Sequence, residues 1–496
     1  MSETILMIGG GLGGLFTGAL LAKEGYSVTV LEKNHTIGGG LQTFMHRGHV
    51  FETGMHILGG FRQGGALNRI CSYLGIMDKL SIRDMDDDCM DSITYLSDGK
   101  TYRMAMGKDH FIDALAKEFP AERENLQAYV DTLYRIADEV DIFYLRHGSV
   151  NIFRHSSDFM LPADVLIARY ISDPKLKDVL AYMNPMYGGM AGHTPAYIHA
   201  LINVLYIDGA CRFNGGSQQL ADALADVIRS HGGSVLADQK VEKIDVDNRE
   251  ISKVTTGSGD VFTADHYISS THPCALLQTM DEGALPKAYR NRLNEIPNSY
   301  SAFTVYITFK KDAFPYLNRT CYFQDDYGLV WQHGEYDENT WPRGFMFFTP
   351  SEVEQGKYAT KMIINSIMDF NVVRRWENTT VGHRGADYLD WKRRHTEKVL
   401  DKMEQLYPSF RDDIDDVFAS SPLTIRDYYN EKEGSLYGFR KDCQDIALSQ
   451  VPIYTKIKNL LLTGQNINLH GICGVPLTAI NTVEALIGEN KLIDKL

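Results

Sequence analysis

The sequence predicts an α/β protein in which a Rossmann-like dinucleotide-binding domain is combined with a discontinuous α+β domain, and three observations carry that expectation. The apolar run Thr4 to Ile8 ends abruptly in Gly9-Gly10-Gly11-Leu12-Gly13-Gly14, a GxGxxG pattern, with a helix and a second apolar strand close behind. Toward the other end, Asn459 to Leu462 reads as a buried strand that stops in the turn residues Thr463 to Asn466, and Gly471 and Gly474 again precede a helix. Between these ends, residues 300–370 hold a succession of aromatic and β-branched runs with strand character.

The first unit reads strand, turn, helix, strand. Leu15 to Glu24 has helical composition and is stopped by Gly25, and Ser27 to Glu32 is the second buried strand. In such a βαβ unit Gly9 permits the tight turn, Gly11 lets backbone N–H groups approach a pyrophosphate at the helix N-terminus, and Gly14 lets helix and strand pack closely. Glu32 follows the last glycine at about the 20-residue separation expected for the acid that holds an adenosine ribose. A Gly-rich turn standing alone is only a turn. Here strand, helix, second strand and terminal acid occur together, which selects the nucleotide-binding reading.

The residues after Glu32 read Lys33-Asn34-His35-Thr36-Ile37-Gly38-Gly39-Gly40-Leu41-Gln42-Thr43-Phe44, followed by Phe51-Glu52-Thr53-Gly54-Met55-His56-Ile57-Leu58-Gly59. This stretch resembles flavoproteins that continue as an acid, about five residues and Gly-Gly-Arg-x-x-Ser/Thr. It is most similar to the retinol saturase and carotenoid isomerase branch of the phytoene desaturase-like superfamily, which has a glutathione reductase-type fold. The resemblance implies FAD, contacted in the first turn by Gly9, Gly11, Leu12, Gly13 and Gly14 and at the ribose by Glu32 and Lys33. It places Gly38, Gly39, Gly40, Leu41 and Thr43, with Thr53, Gly54, Met55 and His56, against the pyrophosphate and flavin ring. Val241 is set against the adenine. Gly464 and Gln465, with Gly474 and Val475, match the C-terminal flavin-binding motif. The chain departs from the pattern at Gly40, where many members carry Arg, so a direct phosphate or flavin contact is missing there. Phe119-Pro120-Ala121-Glu122 and Gly434-Ser435-Leu436-Tyr437-Gly438 also resemble elements of that branch.

Along the rest of the chain, residues 80–210 alternate helix-period stretches with polar turns, such as Asp109 to Ala116 and the pattern through Ala137. A helix runs to Ser230, stopped by His231-Gly232-Gly233. Val235 to Ala237, Val241 to Val246, Val254 to Thr256, Val261-Phe262 and Tyr267 to Ser270 read as short strands of one meander. Strands are expected at Ala302 to Phe309, Cys321 to Phe323, Leu329 to Trp331, Phe345 to Phe348 and Met362 to Asn365. Such an aromatic sheet suits the floor of an apolar pocket, although an aromatic strand face is more often plain core. Helices follow at Tyr388 to Leu406 and Leu477 to Ile487. The resulting division assigns residues 1–75, 211–280 and 445–496 to the FAD domain, and residues 76–210 and 281–444 to the substrate domain.

The 496 residues carry a net charge of −14, so a long polyanion such as duplex DNA is repelled and no nucleic-acid partner is expected. Seven scattered cysteines without a CxxC pair indicate neither a zinc site nor a disulfide framework, and no metal is expected. No secretory signal precedes the first strand and no apolar run reaches about 18 residues, which reads as a cytoplasmic protein with at most peripheral membrane contact. Gly188-Gly189-Met190-Ala191-Gly192 lacks a preceding apolar strand and GxGxxG spacing. No second nucleotide fold is therefore expected, and electrons are left to come from a redox partner or from NAD(P)H without its own Rossmann domain.

The cofactor carries the hydride chemistry, so the protein must supply position, a dry environment and one proton donor at most. His56 is the first candidate for that donor, with Tyr187 and Tyr437 behind it; a structural histidine bonded to backbone is the plainer reading of His56. The function that follows is an FAD-dependent oxidoreductase acting on C=C or C–C bonds of an apolar polyene or isoprenoid, as saturase, desaturase or isomerase. A flavin amine oxidase and a non-enzymatic prenyl-binding protein of the GDP dissociation inhibitor type are the alternatives.

Overall fold

The computed structural model describes every residue except 1, 55, 149–154, 333–335 and 446–449. A five-stranded parallel sheet runs in the order Ser234–Leu236, Ser27–Leu31, Thr4–Ile8, His266–Ser269, Leu460–Leu462, so three distant stretches of chain build one layer. The first strand is central and pairs on both sides, Ile5 facing Val28 and His266. Its side chains alternate. Ile5 and Met7 enter a large core with Leu15, Phe16 and Ala19 of the first helix, Leu12–Lys23. Leu6 and Ile8 enter a smaller core with Ile244, Val254 and Tyr267. The sheet is thus covered by helices on one face, including the last helix Gly471–Ile487, and by an antiparallel meander on the other, as expected of a sheet buried on both faces.

That meander is smaller than the sequence suggests: it comprises Val241–Asp247, Glu250–Thr256 and Val261–Phe262. Ser234–Leu236 and His266–Ser269, read as its first and last strands, belong to the parallel sheet instead. Both are short apolar runs whose two faces are covered, and a single sequence does not distinguish them from hairpin strands. The last helix begins at Gly471, six residues before the expected Leu477, and carries Pro476 inside it. The lost amide bond is tolerated because this buried segment packs along the first helix.

A seven-stranded mixed sheet forms the second layer system, ordered Ile414–Ser420, Ser301–Phe309, Lys361–Met368, Gly344–Phe348, Thr320–Gln324, Asp91–Tyr95, Lys100–Met104. One face packs against the helix Ala386–Leu406, with Phe303, Val305 and Ile364 meeting Trp391, Val399 and Met403. The expected strand Leu329 to Trp331 is turn structure. Its buried Val330 carbonyl is taken by the Asn184 side-chain amide at 2.5 Å rather than by a neighbouring strand. A small sheet of Leu58–Gly59, Ala210–Phe213 and Ile82–Asp84 ties the two regions together.

Candidate cofactor and substrate cavity

One continuous cavity of about 1150 Å³ runs from the carboxyl ends of the parallel strands to the free face of the seven-stranded sheet. At the parallel-sheet end backbone approaches backbone. A Cβ on Gly13 would lie 2.8 Å from Gly464 Cα, and one on Gly14 only 1.9 Å from the Gly9 carbonyl oxygen, so the first turn and the last strand touch where no side chain fits. The first helix starts at Leu12 with neither a capping side chain nor an acid in its first turn, and the last helix starts at Gly471 in the same way. Both leave N-terminal N–H groups for an anionic ligand.

Glu32 ends the second strand beside this cradle. Its Oε2 accepts a hydrogen bond from the Gly10 N–H at 2.8 Å and its Oε1 one from the Asn34 N–H at 2.8 Å. Burial pushes its carboxyl up from the usual range, against the pull of these amides. Each carboxylate oxygen keeps a lone pair, so ribose hydroxyls find acceptors without displacing the turn. Glu32→Ala is expected to weaken binding of the adenosine part roughly ten- to a hundredfold, about 1.5–3 kcal/mol, measured by titrating flavin into apoprotein. Unchanged affinity in a folded variant counts against the ribose role.

Of the residues selected from sequence, Gly9, Gly11, Leu12, Gly13, Glu32, Lys33, Gly39, Gly40, Thr43, Thr53, Gly54, His56, Val241, Tyr437, Gly464, Gln465 and Val475 line the cavity. Gly14, Gly38, Leu41 and Gly474 stand behind the wall. Leu41 is fully buried, and a Cβ on Gly474 would lie 2.7 Å from the Leu469 Cβ, so these four serve packing and turn geometry. Met55 lies outside the described residues.

Tyr187 is not on the wall, a correction to its candidacy. Its hydroxyl is 2.8 Å from His199 Nδ1, and Tyr129 meets His199 Nε2 at 2.6 Å, a closed buried trio in which burial pushes the imidazole down to about 3 and keeps it neutral. Tyr437 is on the wall, but its hydroxyl donates to the Pro185 carbonyl at 2.8 Å and burial pushes the phenol far up, so its proton is held in that bond and the group is a weak acid near neutral pH. His56 differs from both. Its ring packs against Phe348, tilted by 38° at 4.8 Å, its Nδ1 is buried with no hydrogen-bond partner among the described residues, and Glu52 Oε2 is 3.8 Å away. A polar atom left unpaired on a cavity wall is one that a ligand or a bound water satisfies.

The wall also holds residues that sequence reading did not select. Ser270 and Thr271 follow the fourth parallel strand, Tyr306 and Phe418 stack at 4.9 Å on the sheet, and Tyr206 comes from the helix Ala196–Asp208. Lys392 and Glu431 are the remaining charged groups of note. Period-2 alternation in Ala302, Thr304 and Tyr306 was the available signal for the sheet; nothing local marks the others.

Residues 12–487 match the family model described as flavin containing amine oxidoreductase. The chain belongs to that family. Among curated relatives, the all-trans-retinol 13,14-reductase of Rattus norvegicus is 25% identical over 99% of this chain and 86% of its own length. The 4,4'-diapolycopene oxygenase of Methylomonas is 22% identical over 97% and 96%. Solved structures share the fold. Putrescine oxidase bound to putrescine superposes with a TM-score of 0.65 at 15% identity over 98% of this chain and 99% of its own, and a fatty acid isomerase from P. acnes with 0.62 at 14% over 98% of each. The family is one of flavin enzymes, and the glycine cradle, the uncapped helix starts and Glu32 are features of this cavity that fit a flavin dinucleotide.

Glu431 places a titratable group in the wall of this cavity. It is buried against Ser435, Gln465 and Asn466, and its carboxyl is pushed up to about 7 by burial, against the pull of those polar neighbours. A folded-state value above the unfolded one makes the protein lose stability as pH rises from about 4.5 toward 7, where only the unfolded chain is ionised. Glu431→Gln is expected to melt like wild type at pH 5 and to be more stable by about 2–3 kcal/mol at pH 8, in melts at saturating flavin. A difference that does not change with pH would show that the group does not titrate in this range.

Proposed function

We propose that this chain is an FAD-dependent oxidoreductase that adds, removes or shuttles hydrogen at C=C or C–C bonds of an apolar polyene or isoprenoid-type substrate. One observation carries the reading: a single cavity joins the glycine cradle to an aromatic sheet face of Phe44, Tyr306 and Phe418. Its volume exceeds the roughly 300–1,000 Å³ of an ordinary small-molecule pocket, which suits a dinucleotide and a second ligand together. The relatives named for retinol and diapolycopene support the same substrate class.

The flavin supplies the hydride chemistry. The chain's own residues do the rest. The helix starting at Leu12 and Glu32 would hold the phosphate and ribose ends, the uncapped Gly471 helix start would offer free amides and positive dipole to an anionic part of the cofactor, and the aromatic face would exclude water from the reacting bond. His56, with its free Nδ1, holds the proton exchanged with the substrate. An amine oxidase is disfavoured, because the substrate end of the wall presents a cation, Lys392, rather than an acid that would attract an ammonium group.

The division into an FAD domain of residues 1–75, 211–280 and 445–496 and a substrate domain of the remainder accompanies this proposal. Electrons come from NAD(P)H entering the open cavity or from a redox partner. Among the described residues no helix is long and apolar enough to cross a membrane, so substrate uptake from a lipid surface is proposed as peripheral. Anaerobic reduction of the holoprotein with NADH, NADPH and dithionite, each followed by a polyene panel, tests donor and substrate together. Reoxidation of the dithionite-reduced flavin by no polyene in the panel would sink the reading.

A further inference from the structure

Lys392 is a cation without a counter-charge. It projects from the helix Ala386–Leu406 over the edge strand Ile414–Ser420, where its Nζ donates to the Ala419 carbonyl at 3.2 Å, and it lines the cavity. Among the described residues it joins no ion pair. The one charge that acts on it, Arg384, is itself paired with Asp427, which Arg426 also binds. Partial burial and the Arg384 charge both weigh against the protonated lysine and lower its basicity. An ammonium group has three donors, and among the described residues only one makes a hydrogen bond, with the Tyr388 ring face 5.9 Å away. In a chain of net charge −14, leaving such a group half-buried and unpaired on a cavity wall costs free energy that a ligand anion would recover.

The adjoining wall is polar in a single row. Ser420 and Asn365 both pair across from Thr304 on neighbouring strands, and the Thr304 hydroxyl donates to Asn365 Oδ1 at 2.8 Å, leaving the Asn365 NH2 group as a free donor. Beyond this row come Tyr306, Phe418 and Phe44, whose rings pack together as an apolar surface. Val381 and Tyr428, 48% and 47% exposed, mark the rim of the same cavity. The acids of the wall, Glu32, Glu242 and Glu431, lie on the parallel-sheet side and in the turn before Gly434, not on the seven-stranded sheet.

We propose that the substrate is an apolar chain ending in a carboxylate, and that Lys392 receives this head group near the rim while the hydrocarbon lies along the aromatic face toward His56 and Tyr437. This rests on the polyene reading for the nature of the chain, but the head group is argued independently from the unpaired cation. An alcohol of the same length would leave the lysine charge uncompensated. A carboxylate forms a charge-assisted hydrogen bond with it, a difference of roughly ten- to a hundredfold in affinity.

The test titrates holoprotein with two matched pairs, retinoic acid against retinol and palmitic acid against hexadecanol, and reads the perturbation of the flavin absorbance spectrum. In wild type each acid is expected to bind at least about tenfold more tightly than its alcohol. Lys392→Gln should remove that preference with flavin content unchanged, and Lys392→Arg should keep it. Preference for palmitic acid with neither retinoid bound would support the carboxylate site and overturn the polyene reading. Equal binding of acid and alcohol in wild type, or no binding of any of the four, would overturn the proposal. So would loss of flavin from Lys392→Gln in step with loss of acid binding, because the cation would then serve the dinucleotide phosphates.

Discussion

Replacing His56 by glutamine is expected to slow the reaction of reduced flavin with substrate by about 10²–10⁴-fold while leaving flavin content and melting temperature near wild type. The expectation follows from what His56 does not do. Its Nδ1 is buried yet has no hydrogen-bond partner among the described residues, Glu52 stands beyond hydrogen-bond range at 3.8 Å, and the ring is held by packing against Phe348 rather than by a polar partner. A histidine retained for structure would spend that nitrogen on backbone, as His272 does in capping the Cys274 N–H at 3.1 Å while its Nε2 meets Asn298. Single-turnover reoxidation, followed at the flavin band over a range of pH, measures the effect. A rate within about threefold of wild type would remove His56 from proton transfer.

The legibility of this site in the sequence varied with how local its causes are. The first turn was readable because two of its glycines, Gly10 and Gly14, meet Glu32 and the Gly9 carbonyl inside one βαβ unit and Glu32 is tied by the backbone amides of Gly10 and Asn34, all close in sequence. The sheet end was half-readable. Strand Ser301–Phe309 is fully buried, so its composition says core, yet alternation sends Phe303 and Val305 to the helix and Thr304 and Tyr306 to the cavity. In sequence Lys392 stands in a basic run beside Arg393 and Arg394, whose side chains pair locally with Asp390. What separates it from them is the edge strand it crosses, 27 residues away, and no property of its own helix records that.

The substrate region shows the same limit from the other side. Tyr187 and Tyr437 were equivalent in sequence, each next to glycine in a loop. In the fold one is closed off against His199 and the other is fixed to the Pro185 carbonyl. Hydroxyl partners come from wherever the chain returns, so tertiary contacts decide which tyrosine keeps a proton to exchange. The unpaired atom, rather than the residue type, distinguishes His56 among the candidates.

Gly14→Ala is expected to yield protein that neither retains flavin nor melts as a single folded species, a loss on the order of 4 kcal/mol or more. The added Cβ would lie 1.9 Å from the Gly9 carbonyl oxygen and 2.9 Å from Ser270 Oγ. Neither neighbour can yield cheaply. Gly9 sits at φ +102, a conformation that side-chain-bearing residues rarely adopt, in the turn that hands the first strand to the first helix. Ser270 N donates to the Ile8 carbonyl and its hydroxyl reaches Gly9 O at 3.0 Å, tying that turn to the fourth parallel strand. Relief would have to move the helix, and with it the uncapped amides and the Gly13 contact with Gly464 on which both ends of the flavin site depend. Gly356→Ala is the control. Its Cβ meets nothing within 4 Å, so flavin absorbance per protein and melting temperature should match wild type. Normal flavin loading in Gly14→Ala would mean that helix and turn separate without loss, and that close packing at Gly14 is not what shapes the cradle.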